Sequence, residues 1–234
     1  MITENDVVLE IGPGEGVLTR ELCAQACRVH AFEVDPELSE RLEKQNLSNL
    51  TVHRGDFLKK VPEECLGSDA KANLIVVANL PYYITAPIME RLFWKKPHPI
   101  KRAVLMMQHE VAVRVTNPAS REAGALTYIV GAYFQTEYLF KVPPGCFSPP
   151  PKVDSAVIGL SPNPALETTD PKRYEQLVST AFRSRRKQLG RSLRGLNPEA
   201  PELLTEAGID PRRRPETLTV QEFWNLARNW PHCE

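Results

Sequence analysis

Asn79-Leu80-Pro81-Tyr82 is the segment of this sequence whose residue types and order point most directly to chemistry. An exocyclic amine on an adenine ring is a poor nucleophile, because its lone pair is delocalised into the ring. The side-chain carbonyl of Asn79, with a backbone carbonyl beside Pro81, can accept both amine hydrogens and favour a pyramidal nitrogen. Pro81 removes a competing donor and fixes the turn. Tyr82 offers a flat face on which an extruded base can stack, its hydroxyl left free for water. Attack on a sulfonium methyl makes a cationic nitrogen that sheds its proton afterwards. No strong general base is then required, and catalysis rests on alignment and electrostatic complementarity.

The segment gains weight from what precedes it. Val8–Gly16 reads VLEIGPGEG, with Gly12, Gly14 and Gly16 between a strand and a helix. Glycines there let the backbone turn tightly and approach a ligand. The GxGxG spacing, with Glu10 and Glu15 close by, suits a zwitterionic amino-acid moiety beside a sulfonium better than a diphosphate. Glu33 closes the next strand, where an acid about 20 residues past the glycines can accept from both ribose hydroxyls. Asp56 follows the third strand and can accept from the amine of a cofactor's adenine, with Phe57 packing on that ring. Glycine loop, Glu33 and Asp56 stand at successive strand ends, which converge on one crevice in a doubly wound sheet.

The elements that position these residues are legible as short apolar runs alternating with helical patterns, the mark of a parallel sheet with crossover helices. Strands are expected at Val7–Ile11, Val29–Val34, Leu50–His53, Leu74–Ala78 and Ala103–Met107. Helices are expected at Val17–Ala26, Pro36–Gln45, Ala86–Trp94 and Glu110–Val115, with Asp35 as an N-cap. The aromatic run Ala125–Val142 suggests two more strands joined near Gln135-Thr136, an antiparallel pair at the sheet edge. Pro143–Pro151, five of whose nine residues are proline, is excluded from regular structure. A last strand spans Val153–Leu160. After Ser161, Pro162, Pro164 and Pro171 mark a linker to helical patterns at Tyr174–Arg183, Lys187–Arg194, Pro201–Ala207 and Val220–Trp230. The reading is an α/β, Rossmann-like sheet domain over 1–161 and a small C-terminal α-helical domain over 162–234.

Composition is that of an ordinary globular chain: 234 residues, 42% hydrophobic and 25% charged, with 29 basic and 29 acidic side chains. No apolar run approaches the roughly 18 residues of a membrane-spanning helix. The five scattered cysteines complete no metal site and read as free thiols in a reducing compartment. Because net charge is zero, the run Arg183–Arg194 stands out: Arg183, Arg185, Arg186, Lys187, Arg191 and Arg194 without an acid. Arg212-Arg213-Arg214 adds a second cluster. Basic helices of this kind can track the phosphates of a folded RNA.

At VLEIGPGEGVLT, FEVD, GDF, NLPYYITAPIM, MMQHEVAVR, FSPPPKVDSAV and FRSRRKQLGRSL the chain resembles the small-subunit ribosomal RNA adenine dimethyltransferases, the KsgA-like family. The resemblance implies a class I methyltransferase that uses S-adenosyl-L-methionine to dimethylate the N6 amines of two adjacent adenosines. These adenosines lie in the 3′-terminal hairpin of small-subunit (16S) rRNA, within a maturing pre-30S particle. It implies that Gly12, Glu33, Asp56 and Asn79 touch the cofactor. It further implies that Asn79, Leu80, Pro81 and Tyr82 hold the base, with Phe147 as a second aromatic clamp. A monomer acting in the cytoplasm is expected, or in an organelle if a transit segment has been removed.

Three departures from the family pattern are visible. Six residues precede the first strand where the family usually has a segment closing over the cofactor, so the chain looks N-terminally shortened. Tyr83 stands where an Asn commonly follows NLPY, and Gly131 where a Gln is common. Two alternatives stay open: a large-subunit rRNA adenine methyltransferase of the macrolide-resistance type, and a non-catalytic ribosome-assembly or transcription factor of the same fold. A nicotinamide-dependent dehydrogenase fails on the glycine spacing and leaves NLPY unexplained.

Overall fold

The computed structural model describes residues 2–60, 62–72, 74–93, 100–118, 120–163, 170–184 and 186–231. Seven strands form one sheet in the order β3-β2-β1-β4-β5-β7-β6. They are β1 (Val7–Ile11), β2 (Arg28–Glu33), β3 (Leu50–Arg54), β4 (Leu74–Asn79), β5 (Ile100–Gln108), β6 (Phe134–Val142) and β7 (Ser155–Pro162). The first five pair in parallel, and β7 runs antiparallel to β5. Every residue of β1 is buried, as is every residue of β4 but Asn79, which explains their unbroken apolar runs.

The crossovers are α1 (Val17–Gln25), α2 (Pro36–Glu43), α3 (Pro62–Leu66), α4 (Thr85–Phe93) and α5 (His109–Thr116). Their starts follow local chemistry. Asp35 accepts from the N–H groups of Glu37 and Leu38 at 2.8 and 3.2 Å, and Pro36 occupies the first helical turn. A polar chain is partly buried within the sheet unit, with His30 at its centre. Asp69 bonds His30 and His30 bonds His53, both at 2.9 Å, and burial holds the His53 imidazole down to about 4.

Two compact units emerge, Met1–Ala112 with Glu137–Pro162, and Val113–Thr136 with Asn163–Glu234. The expected division at 161/162 falls beside the chain's last passage between units. Val113–Thr136, however, groups with the helical unit and not with the sheet. The reason lies in α6 (Ala125–Tyr133), which replaces the first of the two strands expected in Ala125–Val142. Its sequence, ALTYIVGAY, is apolar on nearly every side, and periodicity cannot separate a buried helix from a buried strand. Only Phe134–Val142 is extended.

The helical unit adds α7 (Pro171–Arg183), α8 (Leu189–Leu193), α9 (Ala200–Glu206) and α10 (Val220–Asn229). An aromatic core joins α7 and α10 to α6. Tyr128 lies 5.0 Å from Phe182 and 5.3 Å from Phe223 between ring centroids, and Tyr174 lies 4.8 Å from Trp224. Buried hydroxyls are satisfied by backbone: Tyr128 donates to the Leu218 carbonyl and Tyr174 to that of Tyr128. Gly131 therefore sits in a helix, where a Cβ would come 3.1 Å from Val220 Cγ2. Among the described residues, no helix is long and apolar enough to cross a membrane.

Candidate active site

The strand order reverses between β1 and β4, and in open α/β sheets such a reversal leaves a crevice beyond the strands' C-terminal ends. Ile11 pairs with Ala78, so Gly12 and Asn79 leave the sheet side by side. Gly12 has φ +72°, and a Cβ built on it would lie 3.6 Å from the Asn79 carbonyl oxygen. Glycine here permits a left-handed turn and brings the two chain segments together.

The glycine loop is held from below. Gly14 N–H donates to Glu33 Oε2 at 3.0 Å, and Asp35 N–H donates to Oε1 at 2.9 Å. Glu33 is thus a clamp on the loop, a role its sequence position did not suggest, with one lone pair left on each oxygen for a further donor. Gly14 has open space where a Cβ would be. Gly16 differs: a Cβ there would meet Leu42 Cδ2 at 2.5 Å, so this glycine answers to packing against α2.

Glu10 is 2% exposed, and its Oε2 has no hydrogen-bond partner. Burial pushes its carboxyl up to about 7, with the nearby charge of Glu33 adding to the shift. The Thr19 hydroxyl opposes this without closing a hydrogen bond. Asp56 follows β3; its Oδ1 accepts from Leu58 N–H at 2.9 Å, while Lys59 Nζ lies 4.0 Å from Oδ2. Phe57 corrects an expectation. It is 5% exposed and sits edge-on to Phe32 at 5.3 Å, so its ring belongs to the core and offers no open face. Val34, directly after Glu33, is an open apolar residue, 64% exposed.

Asn79 is exposed at the tip of β4. Neither its side-chain amide nor the Leu80 carbonyl has a partner among the described residues. The Leu80 side chain is buried, and its N–H donates to the Met106 carbonyl at 2.9 Å. The turn that follows is tied at Pro81, whose carbonyl accepts from Ile84 N–H at 3.1 Å and the Thr85 hydroxyl at 3.2 Å. Tyr82 departs from expectation in one respect: its hydroxyl is 2.5 Å from the buried Ser155 Oγ and not left to water. Ser155 and Thr85 were missed in the sequence because hydroxyls at strand and helix starts are common. Their signal was membership of the motifs FSPPPKVDSAV and NLPYYITAPIM themselves.

Phe147 follows the single helical turn Pro144–Cys146 and is half-buried. Ser155 pairs with Gln108 at the C-terminal end of β5, and Lys141 bonds Asp154 at 2.7 Å. The loop carrying Phe147 therefore enters the sheet at the edge where Tyr82 is anchored.

Of the basic run, Arg183 ends α7, Arg186 and Lys187 lie in the following turn, Arg191 is in α8 and Arg194 follows it. Arg185 lies outside the described residues. The five described cations are exposed and form no ion pair among the described residues. The second cluster is engaged locally: Arg212 pairs with Asp210 at 3.2 Å and Arg213 with Glu222 at 2.5 Å.

A mixed seven-stranded sheet of this order, with a glycine loop closing β1 and Asn-Leu-Pro-Tyr closing β4, defines a Rossmann-like methyltransferase. The chain belongs to the ribosomal RNA adenine dimethylase family, whose sequence model matches residues 1–230. It is 41% identical to the ribosomal RNA small subunit methyltransferase A of Clostridium botulinum (strain Loch Maree), covering 97% of this chain and 84% of that one. The protein of the same name from Bacillus mycoides is also 41% identical, over 94% and 80%. Among solved structures, a dimethyladenosine transferase from Plasmodium falciparum aligns with a TM-score of 0.81 and 28% identity, over 96% and 90%. The 23S rRNA methyltransferase ErmE aligns with a TM-score of 0.72 and 29% identity, over 97% and 92%.

Proposed function

We propose that this chain moves methyl groups from S-adenosyl-L-methionine to the N6 amines of two adjacent adenosines in the 3′-terminal hairpin of small-subunit rRNA. It acts in the cytoplasm, as a monomer, on a pre-30S particle. The observation that carries the reading is the unpaired pair of acceptors, the Asn79 amide and the Leu80 carbonyl, beside Gly12 at the sheet's reversal point.

The residues fit the cofactor. Gly12 and Gly14 open the backbone, Glu33 and Asp56 offer acceptors for ribose hydroxyls and an adenine amine, and Val34 offers an apolar surface. Glu10, buried with an orphaned oxygen, suits a neighbouring cation, which would draw its proton off. Bound there, S-adenosyl-L-methionine supplies an electrophilic methyl on a sulfonium.

The chain's own part is alignment. Asn79 and the Leu80 carbonyl accept the two amine hydrogens and turn the nitrogen lone pair out of conjugation. Tyr82 and Phe147 hold the extruded ring, and the bond to Ser155 fixes the tilt of Tyr82. The proton leaves to water after transfer, so no buried base is used. Arg183, Arg185, Arg186, Lys187, Arg191 and Arg194 contact phosphates of the folded rRNA, reading its shape.

The test is incubation with methyl-labelled cofactor and 30S particles that lack the modification. Labelled dimethyladenosine on digestion is the expected product, and none would refute the reading. Label in large-subunit rRNA would move the chain to the activity named for ErmE.

A further inference from the structure

We propose that Tyr83 is a second stacking surface, for the nucleotide that flanks the target adenosine in the RNA strand. The proposal rests on the rRNA reading above. Tyr83 is 83% exposed, and it follows directly the residue assigned to hold the base. A single exposed aromatic side chain is unremarkable by itself. What distinguishes this one is that each of its neighbours is fixed. Leu80 is buried, the Pro81 carbonyl accepts two hydrogen bonds, the Tyr82 hydroxyl is held by Ser155, and Thr85 is buried. Tyr82 to Ile84 form one tight helical turn. The ring of Tyr83 is thus carried outward on a rigid base, with no hydrogen-bond or ring partner among the described residues.

A base drawn out of its stack leaves its strand neighbour without a stacking partner. Every base has a π-face, so an aromatic ring can replace that partner without reading sequence. Tyr82 and Tyr83 would then take consecutive nucleotides, one inside the site and one at its rim. Because the two adenosines are adjacent, the rim base of one methylation is the target of the next. Tyr83 would keep the second adenosine splayed while the first is modified.

The experiment uses the full chain and a hairpin RNA in which 2-aminopurine replaces one of the two adenosines. Lacking a 6-amine, this base cannot be methylated and reports as the flanking nucleotide. Wild type is expected to quench its emission by stacking. Tyr83→Ala should lose that quenching and bind the hairpin about tenfold more weakly, within the range that base–aromatic stacking supplies. The loss should appear in KM, with kcat changed by less than about twofold, and Tyr83→Phe should behave as wild type. Melting temperature serves as the folding control, since the side chain is exposed.

Unchanged quenching and affinity in Tyr83→Ala would overturn the assignment, as would a Tyr83→Phe defect equal to that of Ala. A defect seen with intact 30S particles and absent with the hairpin would assign Tyr83 to a protein partner instead, which also overturns it. A wild-type chain that neither binds the hairpin nor methylates 30S particles lacking the modification defeats the rRNA reading and Tyr83 with it. An active wild type whose Tyr83→Ala variant is unaltered defeats Tyr83 alone.

Discussion

The ends of β1 and β4 stand side by side, yet they treat their polar groups in opposite ways. In the glycine loop the amides are engaged within the protein: Gly12 with Phe32, Gly14 with Glu33, Gly16 with Pro13. At Asn79 and Leu80 the acceptors are left open. One side is a cradle built before any ligand arrives; the other is completed only by what binds. Unpaired polar groups at a surface cost little, because water satisfies them, so the open side can be kept ready without loss of stability.

Substitutions should therefore separate activity from stability at β4 and join them at β1. The largest effect is expected for Asn79→Ala, which removes one acceptor aimed at the reacting amine. Methyl transfer should fall by about 10² to 10³-fold in a label-incorporation assay, while the melting temperature holds. A comparable fall in melting temperature would erase the contrast between the two strand ends.

Glu33→Ala comes next and should damage both properties. Two backbone N–H groups lose their acceptor, costing about 1 to 3 kcal/mol in denaturant unfolding. Cofactor binding by calorimetry should weaken by at least about tenfold, since loop shape and ribose acceptors are lost together.

Glu10 gives a test with a sign. Its folded pKa of about 7 lies above the usual 4.5, so its buried neutral form is the stable one. The penalty is absent below about pH 4.5, grows as pH rises through the folded value and levels off above it. Without cofactor, Glu10→Gln should gain about 3 kcal/mol on wild type at pH 8 and nothing at pH 4. With cofactor, it should lose part of that gain, because the charged form is the one a cation favours.

The smallest effect is expected for Tyr82→Phe. Removing the bond to Ser155 should cost about 1 kcal/mol, and activity should stay within a few-fold, because the stacking face remains. A loss as large as that of Asn79→Ala would give the hydroxyl a chemical role.

The sequence carried most of the sheet, since buried parallel strands announce themselves by apolar runs, and Asp35-Pro36 marked a helix start to the residue. It also placed the glycine loop, the two acids and NLPY in one crevice, because strand ends and a known reversal of order fix that geometry. What it could not carry was side-chain direction. Phe57 beside Asp56 reads the same whether it turns to a ligand or to Phe32, and the packing partner decides. Gly16 belongs to the same motif as Gly12, but the neighbour it accommodates, Leu42, is a helix away in sequence. ALTYIVGAY was misread because a segment buried all round loses the periodicity that distinguishes helix from strand. Arginine clusters are equally ambiguous: Arg212 and Arg213 pair with acids within ten residues, whereas the described cations between Arg183 and Arg194 pair with no acid among the described residues.

The origin of α6 bears on how such a chain can be divided or recombined. Because this helix reaches the C-terminal bundle from mid-chain, no single cut separates the two units. A gene fragment ending at Pro162 would keep Tyr128 and its neighbours but strip them of Phe182 and Phe223, baring an oily stripe that invites aggregation. Exchange of the tail between relatives would succeed only if Val113–Thr136 travelled with it. The helical region should thus be inherited as a split cassette, changing in step at two distant stretches of the gene.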